Sequence, residues 1–168
     1  MLETLVPADL VALAARVIAA NREAGRMIAV AESCTGGLVG TALTEIHGSS
    51  KVFDRGFVCY SNEAKQEMLA VPADIIDTFG SVSVAVAWAM AQGALKHSRA
   101  DVAVAITGIA GPVGGGEQKP VGTVVFARAA RDDPPDCANA ELKRLDPSGG
   151  RCGIRHQAAL VALELLLP

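Results

Sequence analysis

The chain is 168 residues long, 51% hydrophobic and 20% charged, and it carries a net charge of −3 at neutral pH. This length fits one compact domain over residues 1–168 and is too short for two domains of ordinary size. A slightly acidic chain without clustered Lys or Arg excludes the basic surface typical of proteins that bind nucleic acid or anionic membranes.

The first ten residues contain acids and a proline rather than a basic segment followed by an apolar one, so we expect no signal peptide. No apolar run is long enough to span a bilayer, and we expect no membrane partner. The four cysteines lack the paired spacing of a metal site. A cytosolic chain would hold these cysteines reduced.

In the first half of the chain, the hydrophobic pattern alternates between helical spacing and short apolar runs. Gly25 lies just past the first helical pattern, as glycines often do at helix ends. Ser61 and Asn62 are suited to cap a helix, because their side chains can accept a backbone hydrogen bond. The predicted elements are a helix over 2–24, a strand over 27–31, a helix over 35–46, a strand over 56–60 and a helix that ends at residue 69.

The second half continues this alternation and adds two strands with period-two patterns. Pro72 suits the first turn of a short helix that ends near Gly80, and Ser83 precedes a long alanine-rich helix. Residues 131–136 are polar and contain two prolines, which is typical of the connection in a long hairpin. The other predicted elements are the end of the alanine-rich helix near residue 97, strands over 102–106, 121–130 and 138–145, and a final helix over 153–167.

This order of elements predicts an α/β fold. Continuous apolar strands alternating with helices favour a largely parallel sheet covered on both faces, to which the hairpin adds an antiparallel strand. We therefore predict a three-layer α/β/α sandwich with a mostly parallel mixed sheet. Ligands bind such sheets at the carboxyl ends of the strands, where Ser33, Tyr60 and Thr107 would converge.

The junction between the first predicted strand and the next helix contains two reactive side chains and a glycine pair. Ser33 and Cys34 follow the strand directly, and Gly36 and Gly37 allow a ligand to approach the backbone closely. The start of a helix also presents unpaired N–H groups. From the residues alone, Ser33 or Cys34 could be a nucleophile, an anion ligand or a helix cap.

Four segments, in order along the chain, resemble motifs of one family. They are 31–37 (AESCTGG), 60–65 (YSNEAK), 107–112 (TGIAGP) and 119–123 (KPVGT). Over about residues 15–166 the chain resembles the CinA C-terminal domain, the nicotinamide-nucleotide amidase family. The resemblance implies a bacterial, cytoplasmic enzyme that hydrolyses the carboxamide of nicotinamide mononucleotide, with a Ser–Lys site and no metal or other cofactor. Longer members carry a further N-terminal domain, so we expect a stand-alone form.

Within this resemblance, the candidate catalytic residues are Ser33, Lys65 and Tyr60. Ser33 would be the nucleophile. Lys65 would be the base, because burial lowers the pKa of an ammonium group and leaves an amine that can accept a proton. Tyr60 would relay this proton or orient Lys65. These two residues are five apart and no GxGxxG is present, so a short-chain dehydrogenase is excluded.

The predicted substrate contacts come from three segments that follow strands or open the last helix. Backbone N–H groups after Ser33 would bind the oxyanion, and the segment after the strand over 102–106 would bind phosphate or ribose. Arginines near the C-terminus would add phosphate contacts. The candidates are Thr35, Gly36, Gly37, Thr107, Gly108, Ile109, Ala110, Gly111, Arg151 and Arg155.

The glycine-rich loop over 111–120 lacks the Gly-Lys-Ser/Thr of a P-loop, which excludes nucleoside triphosphate hydrolysis and favours a flap over the cleft. Two alternatives remain open, a non-catalytic nucleotide-binding module and a hydrolase that uses Cys34, whose thiol pKa a helix N-terminus would lower. The expected ligand is a small mononucleotide. Apolar first and last helices also predict a homo-oligomer.

Overall fold

The computed structural model describes residues 4–134 and 137–168. Within these ranges the chain forms six α-helices and five β-strands. The helices are α1 (Ala8–Glu23), α2 (Leu38–Thr44), α3 (Asn62–Leu69), α4 (Ala73–Phe79), α5 (Val84–Lys96) and α6 (Gly150–Leu165). The strands are β1 (Ile28–Glu32), β2 (Phe53–Val58), β3 (Val102–Gly108), β4 (Thr123–Ala130) and β5 (Asn139–Arg144).

The strands form one mixed sheet in the order β2-β1-β3-β4-β5. β1 lies between β2 and β3 and pairs in parallel with both. β4 runs antiparallel to β3 and to β5, as the predicted hairpin requires. The carboxyl ends of β1, β2 and β3 therefore meet at one edge, and the predicted α/β fold with a mostly parallel mixed sheet is confirmed.

Helices cover both faces of the sheet. α1, α2 and α6 contact one another on one face, and α3, α4 and α5 pack on the other. Because strand side chains alternate, Val30 and Val104 point to the α1–α2–α6 core, whereas Ala29 and Ala103 point to the α5 core. The alanines are small, so they allow α5 to lie close to the sheet.

The same closeness recurs between α5 and α3. Gly93 of α5 lies against the backbone of Leu69, the last residue of α3, and a Cβ at Gly93 would overlap the Leu69 carbonyl group. Glycine at this position therefore sets the spacing between the two helices.

Several element boundaries differ from the prediction. α1 begins at Ala8, because Pro7 takes the extended N-cap conformation. α2 begins only at Leu38, after a turn that the glycines make, and β2 begins three residues and ends two residues earlier than predicted. α6 begins at Gly150 rather than at residue 153. The predicted helical residues 2–3 and residues 135–136 of the hairpin connection lie outside the described residues.

The apolar faces of α1 and α6 are used inside the molecule. Leu10 and Ile18 of α1 and Ile154 and Leu163 of α6 are buried in the same core. These faces therefore pack mainly inside the molecule, and the homo-oligomer stays a prediction. Across the described ranges, no helix combines the length and apolar character that crossing a membrane would need.

Candidate active site

Ser33 and Lys65 meet at the carboxyl edge of the sheet. Ser33 follows β1, and Lys65 lies in the first turn of α3, whose N-cap Ser61 accepts a hydrogen bond from the Ala64 N–H as predicted. The Nζ of Lys65 lies 3.2 Å from the Oγ of Ser33. Residues that are 32 positions apart in the chain thus form a hydrogen-bonded pair.

The Lys65 amine is enclosed by the backbone that precedes its own helix. Its Nζ lies 3.1 Å from the carbonyl oxygen of Cys59, 3.2 Å from that of Tyr60 and 3.4 Å from that of Ser61. The residue is only 1% exposed, and this burial lowers the pKa of Lys65. When the amine is neutral, its two N–H groups can donate to two of these carbonyls and its lone pair can accept from the Ser33 hydroxyl.

A buried carboxylate organises the turn that carries Ser33. Glu32 accepts hydrogen bonds from the N–H groups of Gly37, Val39 and Gly40 at 2.8 to 3.1 Å. Gly36 and Gly37 have φ values of +59° and +92°, which L side chains rarely adopt. The start of α2 therefore already holds a carboxylate from the chain itself.

The free N–H groups of this turn differ from the predicted set. Gly36 donates to the Ser33 carbonyl at 3.0 Å, and Gly37 donates to Glu32. The N–H groups of Cys34 and Thr35 have no acceptor in the part of the chain that the structure describes. Among the predicted oxyanion donors, only Thr35 has a free N–H, and Cys34, whose backbone was not predicted to take part, supplies a second one.

The Cys34 thiol lies on the other side of the backbone from Ser33. It is 4% exposed in the core beneath α1, α2 and α6, and burial raises its pKa to about 11. The expectation that the helix start lowers this pKa is wrong, because removal from water outweighs the backbone hydrogen bond and the charges of Arg151 and Arg155. The structure offers no support for a hydrolase that uses Cys34.

Tyr60 contacts the site in two ways. Its backbone carbonyl holds Lys65, whereas its phenol oxygen accepts a hydrogen bond from Arg151 at 2.9 Å. Arg151 also donates to the carbonyl of Gly111 at 2.9 Å. Arg151 therefore bridges the segment after β2 and the loop after β3, and the Tyr60 phenol is directed to this bridge rather than to Lys65.

Arg155 lies one helical turn beyond Arg151 on the same face of α6. Its Nε donates to the Cys34 carbonyl at 3.1 Å and its Nη2 to the Thr35 carbonyl at 2.9 Å. Both acceptors belong to the turn that follows Ser33. The two arginines that were expected to share one role thus contact different parts of the site.

The segment after β3 offers fewer free groups than predicted. Thr107 is buried and donates its hydroxyl to the Ser81 carbonyl at 2.8 Å, and the Ile109 N–H donates to the Thr123 carbonyl. Gly108 is part of β3. Within residues 4–134 and 137–168, no backbone acceptor binds the N–H groups of Ala110 and Gly111, so these two can contact an anionic substrate.

No set of three His, Cys, Asp or Glu side chains comes together as a metal site within the described residues. The polar groups at the carboxyl edge of the sheet are a hydroxyl, a buried amine, free backbone N–H groups and two guanidinium groups. Such groups can perform acyl transfer, which needs a nucleophile, a base and donors for an oxyanion.

Comparisons with known proteins agree with this arrangement. The family model described as CinA C-terminal domain matches residues 10–168. The chain is 46% identical over 164 residues to the nicotinamide-nucleotide amidohydrolase PncC of Escherichia coli K12, covering 96% of this chain and 95% of that protein. It also matches the crystal structure of the competence/damage inducible protein CihA from Agrobacterium tumefaciens, with a TM-score of 0.91, 49% identity and coverage of 97% and 96%.

Other relatives are much longer than this chain. A putative competence-damage inducible protein of Symbiobacterium thermophilum is 50% identical over 147 residues, which cover 86% of this chain but 34% of that protein. The chain spans about a third of the length of such relatives.

Proposed function

Because this chain belongs to the CinA C-terminal domain family, we propose that it hydrolyses the carboxamide of nicotinamide mononucleotide to nicotinate mononucleotide and ammonia. The name of the Escherichia coli relative, which matches over almost its whole length, supports this substrate. The observation that carries the mechanism is the 3.2 Å contact between the Ser33 hydroxyl and the buried Lys65 amine.

In the first half of the reaction, the Ser33 oxygen attacks the carboxamide carbon and its proton passes to the neutral amine of Lys65. The carbonyl oxygen becomes an oxyanion, which the N–H groups of Cys34 and Thr35 stabilise. Lys65 then gives its proton to the amide nitrogen, the carbon–nitrogen bond breaks and ammonia leaves. Ser33 is left as an acyl ester of the nicotinate ring.

In the second half, a water molecule attacks the ester and Lys65 accepts its proton. The bond between the carbonyl carbon and Ser33 breaks, and the proton returns to the Ser33 oxygen. The product acid loses its remaining proton to solvent, which leaves the carboxylate and the regenerated enzyme, and one water has been consumed for each ammonia released.

The substrate phosphate would lie on the Arg151 side of the site, near the N–H groups of Ala110 and Gly111. Arg151 holds the Tyr60 phenol through an exposed contact and the Gly111 carbonyl through a partly buried one, and an anionic group can replace these contacts with a bidentate pair. The proposed substrate is an intracellular nucleotide, so we also expect this protein in the cytoplasm.

The experiment is ammonia release by purified wild-type protein from nicotinamide mononucleotide, nicotinamide riboside and nicotinamide. We expect wild-type protein to release ammonia fastest from the mononucleotide. In Ser33→Ala, we expect this rate to fall by about 10³-fold or more, the scale seen when a nucleophile is removed. Ser148→Ala, at an exposed serine outside the site, is the matched control and keeps the parental rate.

Parental ammonia release in Ser33→Ala would contradict the mechanism. Saturable binding of the mononucleotide without any ammonia release from wild type would instead indicate the non-catalytic nucleotide-binding module.

A further inference from the structure

Thr35 is the least satisfied polar residue near the nucleophile. It is 0% exposed, and its hydroxyl has no hydrogen-bond partner within the described residues. Its N–H also lacks an acceptor there. Buried polar groups in native proteins are almost always paired, so the unpaired N–H beside Ser33 indicates a donor kept free for another molecule.

Two consecutive peptide groups of this turn are held differently. The peptide between Thr35 and Gly36 is held at both ends, because its carbonyl accepts from Arg155 and its N–H donates to the Ser33 carbonyl. The peptide between Cys34 and Thr35 is held only at its carbonyl, by the Nε of Arg155. Its other end is the free Thr35 N–H.

This one-sided contact determines where the Thr35 N–H points. A trans peptide is planar and its C=O and N–H point in opposite directions, so fixing the carbonyl toward α6 fixes the N–H away from it. A cation at the carbonyl also polarises the peptide and strengthens the N–H as a donor. Arg155 is the only side chain among the described residues that holds this carbonyl.

We propose that Arg155 is a positioning residue that orients the Thr35 N–H to bind the oxyanion, and that it is not a ligand of the substrate phosphate. The inference rests on the proposed acyl transfer at Ser33. It separates the two arginines of α6, since Arg151 contacts the Tyr60 phenol and the loop after β3, where the phosphate is expected.

The first test compares kcat and KM of Arg155→Gln for nicotinamide mononucleotide and for nicotinamide riboside. A misdirected oxyanion donor costs about 10-fold to 100-fold in kcat, and we expect this loss to be the same for both substrates, with KM nearly unchanged. Arg155→Lys restores a cation without the fork that reaches two carbonyls, so we expect only partial recovery.

Arg131→Gln is the matched control. Arg131 donates to the carbonyls of Ala100, Leu95 and Ser98 at 2.7 to 2.8 Å, at the opposite end of β3 from Ser33. Its loss removes a similar set of contacts, so we expect a lower thermal stability and an unchanged kcat. Equal falls in kcat for both arginine variants would overturn the proposal, because the effect would then be a general loss of stability.

A second readout does not depend on the natural substrate. A fluorophosphonate reacts by forming a bond from the Ser33 oxygen to phosphorus while the phosphorus–fluorine bond breaks and the proton passes to Lys65. The phosphoryl oxygen uses the same oxyanion donors, so we expect Arg155→Gln to label about 10-fold to 100-fold more slowly than wild type.

The outcomes separate the two proposals. Wild-type labelling without ammonia release would refute the proposed substrate, and the labelling rate of Arg155→Gln would still decide the role of Arg155. A defect confined to the mononucleotide, with parental labelling, would show that Arg155 binds phosphate and would overturn the inference.

Discussion

Two segments at the same edge of the sheet are held in opposite ways. The nucleophile turn, residues 33–37, has buried residues at Ser33, Cys34 and Thr35 and is held by one carboxylate and one guanidinium group. The glycine-rich loop, residues 111–120, is exposed over most of its length. Its contacts with the rest of the molecule include the Lys119 amine on the Phe79 carbonyl at 3.1 Å.

The difference is consistent with separate roles for the two segments in the proposed reaction, one in acyl transfer and one in nucleotide binding. Acyl transfer requires donors that are already oriented before the oxyanion forms, which favours a buried turn whose peptides are held by charged side chains. Binding a nucleotide requires groups that solvent and ligand can reach, which favours an exposed loop on a rigid scaffold. Changes in the turn should therefore lower kcat, whereas changes in the loop should raise KM.

The largest expected effect among the further variants comes from Glu32→Gln. Both Glu32 oxygens accept N–H groups, so an amide would place its own NH₂ against a donor. We expect kcat for ammonia release to fall about 10-fold to 100-fold. The free energy of unfolding should fall by about 1–3 kcal/mol, the cost of leaving a buried donor unpaired. A variant with normal kcat would break the proposed link between the order of the turn and catalysis.

The pH dependence sharpens the same contrast. Lys65 must be neutral to accept the Ser33 proton, and burial lowers its pKa, so kcat/KM should rise with pH through a pKa below the usual range of lysine. At pH values well below that pKa, we expect a loss of about tenfold for each pH unit. A profile that is flat from acid to alkaline pH would show that Lys65 is not the base.

The smallest effect is expected in the glycine-rich loop over residues 111–120. Lys119→Ala removes the exposed contact with Phe79, which is worth at most about 1 kcal/mol, so KM should rise by no more than about fivefold. We expect kcat and the shape of the pH profile to stay at the wild-type values. A large fall in kcat would mean that the loop takes part in the chemistry, contrary to the comparison.

Local signals in the sequence were sufficient for most of the fold. The Ser61 cap, the continuous apolar strand β3 and the polar connection before β5 each depend on neighbouring residues, and the structure confirms the elements that they predicted. The start of α2 was predicted too early. A helical hydrophobic pattern extends into the turn, whereas the positive φ values of Gly36 and Gly37 delay the helix itself.

The site was less predictable because its details depend on contacts between distant residues. The sequence placed Ser33 and Lys65 near one edge of the sheet, and the structure brings their side chains into contact. Which N–H groups of the turn stay free depends on Glu32 folding back along α2. The different contacts of Arg151 and Arg155 depend on where α6 packs on the sheet, and no local sequence pattern predicts that position.

The absent side chain of Gly93 has a consequence for the position of the Lys65 amine. Leu69, which packs on Gly93, is one helical turn from Lys65 on the same helix face. Any bulk added there would lift α3 and carry the amine away from the hydroxyl. A methyl group at residue 93 of α5 is thus expected to impair the reaction without touching a single reacting atom.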